Sequence, residues 1–410
     1  MNRRNVLVLV VSAVVVVAVV GALSLTVGRP ALTRLFSGTN SASDTTPSIP
    51  SADLSGSGPG SLVSAVEMTN LDRTNYGRSM RSARVVYRST SGDDGSTTEV
   101  SGAVFTPLGA PPPGGWQVVS FGHGTLGWEE RCGPSLSATL LGQITAVEGL
   151  VNLGYAVAMA DYQGLGAPGV HPYSDAKTAG LNMIDAVRAL RRTFGDVSDR
   201  WAALGGSQGG GAAWAADEQA ASYAPELNLV GAVGLSPAAD VSGLADKAVA
   251  GTLTEDQRPV LQGILYSLAR LHPELDLDDY RHGAASRYWD VLSSCGGPDV
   301  HDRTAAIKAL GPDDFKPSTP QAADRLRDLL GRWALPQRRL TAPLYVEFGA
   351  KDTFIDPPWT LAAIRRACAL GGVVDWHEDP DAGHGDVDWG RALPWLEDRF
   401  EGKPVINECP

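Results

Sequence analysis

The apolar positions of this chain change period along its length. From Ser82 to Pro107, "SARVVYRST" and "TTEVSGAVFTP" alternate apolar and polar residues, and the Gly92–Gly95 turn between them predicts a β-hairpin. "GGWQVVSFGHG" reads as a buried strand running into a glycine-rich turn. "AVEGLVNLGYAVAMADYQG" predicts a helix closed by Gly154, then a strand over Tyr155–Ala160. Helical spacing follows over Asp175–Phe194, a strand in "RWAALGG", a helix over Gln208–Ala221 and a strand in "NLVGAVGLSP". Strands separated by helices imply an α/β fold with a mainly parallel sheet covered on both faces.

That rhythm stops at Asp240 and resumes only after about Arg339. The region between is polar and helix-biased, as in "EDQRPVLQGILYSLARL" and "QAADRLRDLLGRW", with no convincing strand. It is too long for an ordinary loop, so residues 241–339 read as a helical cap inserted between two sheet strands. Beyond it lie the strand "APLYVEFGAKD", a helix over Trp359–Leu370, the strand "GVVDWHED" and a last helix over Val387–Phe400.

The N-terminus follows a different rule. Arg3 and Arg4 precede an uncharged Val- and Leu-rich run from Asn5 to Gly28. A membrane-crossing helix needs about 20 apolar residues, so residues 1–36 predict a signal anchor. A small-x-small site at Ala22-Leu23-Ser24 leaves a cleaved signal peptide as the alternative. Residues 37–62 are Ser, Thr, Gly, Pro and Asp with almost no large apolar side chain, which predicts a disordered tether. Residues 63–410 are then the folded domain, exported either to the outer face of the cell membrane or into the medium.

At 410 residues and 43% hydrophobic, the chain can bury a large core. Its net charge of −12 argues against nucleic acid as a partner. Export changes the reading of Cys132, Cys295, Cys368 and Cys409. Outside the cytoplasm four cysteines predict two disulfides, with three pairings open. They are too dispersed for a zinc site, and no C-x-x-C occurs.

The one G-x-S-x-G match is Gly205-Gly206-Ser207-Gln208-Gly209. With 47 glycines in the chain the match alone means little. Its place, between a buried strand and a helix, is what a nucleophile elbow needs. Such a turn lifts the hydroxyl above the carboxyl edge of the sheet, and the helix N-terminus supplies free N–H groups for an oxyanion. No lysine follows the glycines as a phosphate loop requires.

A serine hydroxyl needs a base, and the base needs an orienting carboxylate. His384, in "DPDAGHGD", lies between the last strand and the last helix, whereas His377 is inside that strand. His272, His282 and His301 fall in the cap region, and His171 precedes a proline in a loop. Asp352, in the turn after "PLYVEFG", is the expected acid, with Asp356 and Asp240 as rivals. The order Ser207, Asp352, His384 is that of α/β-hydrolases. The oxyanion hole needs two N–H donors. The Gln208 backbone is expected to supply one, and Thr125 or Gly124, in "SFGHGTLG", the other. In that motif His123 is expected to shape the turn.

Together "FGHGTLG", "ADYQGLGAPGVHPY", "GGSQGG", "GAKDTFIDP" and "DAGHGD" resemble the secretory lipase family of α/β-hydrolases, the lipase A-like group, from about Val63 to the C-terminus. The resemblance implies an α/β-hydrolase fold with a helical cap before the acid strand. It also implies hydrolysis of small-molecule or lipid esters and no cofactor. It further implies that Cys132 pairs with Cys295 and Cys368 with Cys409. Acyl transfer or amide hydrolysis on the same residues is the alternative chemistry. A catalytically silent, membrane-tethered binding protein is the alternative of another class.

Overall fold

The structure, a computed structural model, describes residues 46–72, 74–295 and 300–409. Among the described residues nine strands run in chain order: β1 (Leu62–Glu67), β2 (Met80–Thr90), β3 (Thr97–Pro107), β4 (Trp116–Gly122), β5 (Ala156–Ala160), β6 (Val197–Gly206), β7 (Asn228–Leu235), β8 (Leu344–Gly349) and β9 (Val374–Asp379). They form one sheet in the spatial order β1-β2-β3-β5-β4-β6-β7-β8-β9. β1, β2, β3 and β5 pair antiparallel, and from β5 through β4 to β9 every pairing is parallel.

The central strands are apolar on both sides because both faces are covered. α2 (Ala176–Thr193), α3 (Gln208–Tyr223) and α8 (Pro357–Ala369) cover one face, packing on Val118, Ala158, Trp201, Ala203 and Val346. α1 (Ile144–Asn152) and α9 (Trp389–Phe400) cover the other, on Val119, Val157, Ala202, Leu204 and Tyr345. Neighbouring residues such as Val118 and Val119 thus enter different cores, as the two-residue period of a strand requires. α2 starts where the Asp175 carboxylate accepts the Thr178 N–H, an N-cap.

Between β7 and β8 lie α4 (Gly243–Ala250), α5 (Gln257–Leu271), α6 (Val300–Ala309) and α7 (Pro320–Trp333), with shorter helical turns and no strand among the described residues. They have a core of their own, built from Leu244, Leu261, Ile264, Leu265, Leu326 and Leu330. A Thr319 N-cap and Pro320 in the first turn start α7. This region is joined to the sheet by the Cys132–Cys295 disulfide and by ion pairs of Lys247 with Asp356 (2.9 Å) and Arg366 with Asp240 (2.6 Å). The second disulfide, Cys368–Cys409, ties the C-terminal tail to α8. There the Glu408 N–H reaches the Val374 carbonyl at 2.8 Å, and the Asn407 side chain accepts the Val374 N–H at 3.2 Å.

Two features at the start differ from the sequence reading. β1 was not expected, because Leu62–Glu67 is short and only its first and fourth residues are fully buried. Residues 46–61, expected to be part of a disordered tether, lie along the domain. Ser48 bridges Val66, the Ser51 hydroxyl donates to the Thr193 carbonyl at 2.8 Å, and Asp53 pairs with Arg192 at 2.6 Å. These contacts are polar, so a reading based on apolar burial misses them. The expected anchor, residues 1–36, lies outside the described residues. Among the described residues no helix is long and apolar enough to cross a membrane.

Candidate active site

β6 ends at Gly206 and α3 begins at Gln208, so Ser207 alone makes the turn. Its φ of 57° and ψ of −120° lie in a region that side-chain-bearing residues seldom adopt. The turn is held by three backbone hydrogen bonds. The Ser207 N–H donates to the Leu235 carbonyl at 2.8 Å, and its own carbonyl accepts from Ala238 N–H (3.0 Å) and Gly211 N–H (3.1 Å). Two glycines let the crossing chains meet. A methyl on Gly205 would lie 2.3 Å from the Gly209 carbonyl oxygen, and one on Gly209 2.0 Å from that of Gly122.

The end of β8 and the loop after β9 bring two further groups to Ser207. Gly349 allows the approach, since a methyl there would lie 2.2 Å from the Ala382 carbonyl oxygen. Asp352 Oδ1 accepts the N–H groups of Phe354 (2.8 Å) and Ile355 (2.9 Å), which fixes the carboxylate. Its Oδ2 lies 2.7 Å from His384 Nδ1, and His384 Nε2 lies 2.9 Å from Ser207 Oγ. An ionised carboxylate can only accept, so Nδ1 carries the imidazole proton and the Nε2 lone pair faces the serine. The Phe354 ring stacks on the imidazole at 4.7 Å. Side-chain exposure is 16% for His384 and 2% for Asp352, so the carboxylate acts across a dry contact while the imidazole faces the cavity. Both rival aspartates are engaged elsewhere: Asp356 holds Lys247 and Gln257, and Asp240 holds Arg366 and caps Ser242.

Gly124 and Thr125 pass beside the elbow. A methyl on Gly124 would lie 4.0 Å from Ser207 Cβ, and the Thr125 hydroxyl shares a hydrogen bond of 2.8 Å with Tyr173. Gln208 is the first residue of α3, so its N–H is one of the donors a helix start leaves without an intrahelical partner. His123 is buried under this turn, its Nδ1 2.7 Å from the Gly124 carbonyl oxygen, and burial depresses its pKa.

One contact at the site had no sequence signal strong enough to find it. His171 is buried beneath the elbow, where Nδ1–H donates to the Gln163 carbonyl at 2.9 Å. Burial pushes its pKa down to about 3, so the ring is neutral and Nε2 accepts the Gln208 side-chain N–H at 3.1 Å. "GVHPY" marked a histidine before a proline and no more.

Ser207 and His384 open onto a cavity of about 430 Å³ walled by Trp128, Tyr173, Val241, Val260, Ile307 and Ile355. A 560 Å³ surface cleft between Pro59, Arg188, Arg191 and Glu226 holds none of these groups. Among the described residues no cluster of His, Cys, Asp and Glu is arranged to hold a metal ion.

Strands paired parallel under helices on both faces, with a strained serine turn at the carboxyl edge, define the α/β-hydrolase fold. Candida antarctica lipase A in its closed state shares it with a TM-score of 0.69 at 17% identity, over 85% of this chain and 84% of that one. Residues 134–408 match the family described as secretory lipase. Lipase 6 of Candida albicans (strain SC5314 / ATCC MYA-2876) is 26% identical over 345 residues, 75% of this chain and 70% of its own. "Probable inactive lipase MT1628" of Mycobacterium tuberculosis (strain CDC 1551 / Oshkosh) is 29% identical over 304 residues, 68% of this chain and 64% of its own. This chain belongs to the secretory lipase family and is a carboxylic ester hydrolase.

Proposed function

We propose that Ser207, His384 and Asp352 form the triad that hydrolyses the ester. Ser207 Oγ attacks the acyl carbon while its proton passes to His384 Nε2. Asp352 holds the imidazole in the required tautomer and stabilises the imidazolium. The acyl carbon–oxygen bond then breaks, and the alcohol leaves with the proton from Nε2. Water, deprotonated by the same nitrogen, attacks the acyl-enzyme and releases the acid. The N–H groups of Gln208 and of Thr125 or Gly124 receive the oxyanion in both steps.

The observation that carries this reading is the continuous series Asp352–His384–Ser207, with contacts of 2.7 and 2.9 Å. One relative is named a probable inactive lipase, so for these residues the contacts, rather than the fold, carry the reading. The apolar cavity supports small-molecule or lipid acyl groups as substrate. Two disulfides support a site of action outside the cytoplasm, with the segment before residue 37 as the exporting element.

The test is hydrolysis of para-nitrophenyl esters, from short to long acyl chains, by the full chain. Ser207→Ala and His384→Ala should each lower kcat by about 10³-fold or more. Equal rates in wild type and Ser207→Ala would overturn the assignment.

A further inference from the structure

Arg303, on α6, brings a positive charge into the wall of the cavity that also holds Ser207 and His384. Its Nε–H donates to the Leu292 carbonyl at 3.1 Å, and its guanidinium carbon lies 6.0 Å from the centre of the Trp128 ring. The two terminal nitrogens carry the remaining N–H donors. Among the described residues no carboxylate forms an ion pair with this guanidinium. Several other arginines are neutralised, Arg188 by Asp185 and Glu226, Arg327 by Asp246 and Arg366 by Asp240, whereas Arg258 and Arg399, like Arg303, bond backbone carbonyls. Two acids line the same cavity, Asp256, which accepts the Thr353 hydroxyl at 2.6 Å, and Glu255, which is exposed; neither forms an ion pair with the guanidinium.

A half-buried cation with no ion pair among the described residues is unfavourable, and burial depresses the Arg303 pKa. Apart from these acids, much of the wall is apolar, with Trp128, Val241, Val260, Ile307 and Ile355. An anionic group on a ligand would give this guanidinium a partner.

We propose that the enzyme acts on esters that carry a second, anionic oxygen group, a carboxylate or a phosphate, and that Arg303 is the specificity residue that binds it. The guanidinium fork matches either anion with paired N–H donors. The proposal rests on Ser207 being the nucleophile. A cavity of about 430 Å³ is at the small end of ligand sites, so the anion sits a short spacer away from the reacting carbonyl.

The test compares kcat/KM of the full chain for three para-nitrophenyl esters of similar length. One is the hemiglutarate, ending in a carboxylate; one is the phosphonobutyrate, ending in a phosphonate; one is the uncharged valerate. Wild type should prefer an anionic ester over valerate by about tenfold or more, as a charge-assisted hydrogen bond provides. The better of the two names the anion. Arg303→Met should collapse that ratio, Arg303→Lys should recover part of it, and Arg303→Glu should invert it. A loss shared equally by charged and uncharged esters in Arg303→Met and Arg303→Lys would mean a structural role and overturn the proposal. So would a wild-type preference for valerate. Ser207→Ala separates the two readings. Turnover that persists there sinks the triad, whereas lost turnover with an Arg303-independent ratio sinks only the anion site.

Discussion

At the elbow, backbone meets backbone: a methyl on Gly209 would lie 2.0 Å from the Gly122 carbonyl oxygen, with no side chain to move aside. In the inserted helices side chain meets side chain. There a methyl on Gly263, in α5, would lie 2.6 Å from the Trp128 indole, which reaches into that core from the loop after β4. The first kind of contact fixes where Ser207 stands. The second shapes a wall of the cavity onto which Ser207 opens, and it can be repacked. Chemistry and selectivity therefore rest on parts of the molecule with different tolerance for change.

Three substitutions press on that contrast. Asp352→Asn leaves the sheet intact but allows the wrong imidazole tautomer, so kcat should fall by roughly 10³- to 10⁴-fold. Steady-state turnover of a para-nitrophenyl ester measures it, and a loss below tenfold would remove Asp352 from its role. Next, Gly209→Ala should lower stability by about 3–5 kcal/mol, whereas Gly263→Ala should lower it by about 1–3 kcal/mol and shift the preferred acyl length. Urea unfolding and an acyl-chain series read both. Equal losses would erase the distinction between the two regions.

The smallest effect concerns the joint between them. Asp217, on α3, accepts the N–H groups of Thr341 and Ala342, and Glu218 those of Gln337 and Arg338, just where the chain leaves the inserted helices for β8. Burial pushes Asp217 up to about 8 and Glu218 to about 7. Each acid holds its proton longer in the folded state than in the unfolded one. The stability this contributes is complete below about pH 4 and is lost as pH rises through 7 to 8. The double variant Asp217→Asn, Glu218→Gln should therefore flatten the fall between pH 5 and pH 8. Parallel urea midpoints at the two pH values decide it.

Much of the sheet was legible because its elements bury themselves by period alone. Wherever a strand was read, from the hairpin to Val374–Asp379, a strand stands within a few residues. Ser207, Asp352 and His384 could be picked out because each follows a strand at the edge where such sheets bind ligands. What stayed hidden depends on contacts far apart in sequence. Nothing near Gln208 indicates that its side chain is held by His171, and nothing near Arg303 indicates that it enters the cavity of Ser207. The strand at Leu62 escaped because it is short and only two of its residues are fully buried, and the segment before it because its residues are mostly small and polar and are held by hydrogen bonds.

That seated segment and the tail after α9 share a property. An open sheet offers unpaired backbone at its first and last strands, and these are where one protein molecule can zip onto another. Here Pro47 and Ile49 hydrogen-bond along β1, while Asn407 and Glu408 do so along β9, with Cys409 stapled nearby. Both outer strands are thus partly covered by the molecule's own chain, which blunts edge-to-edge aggregation.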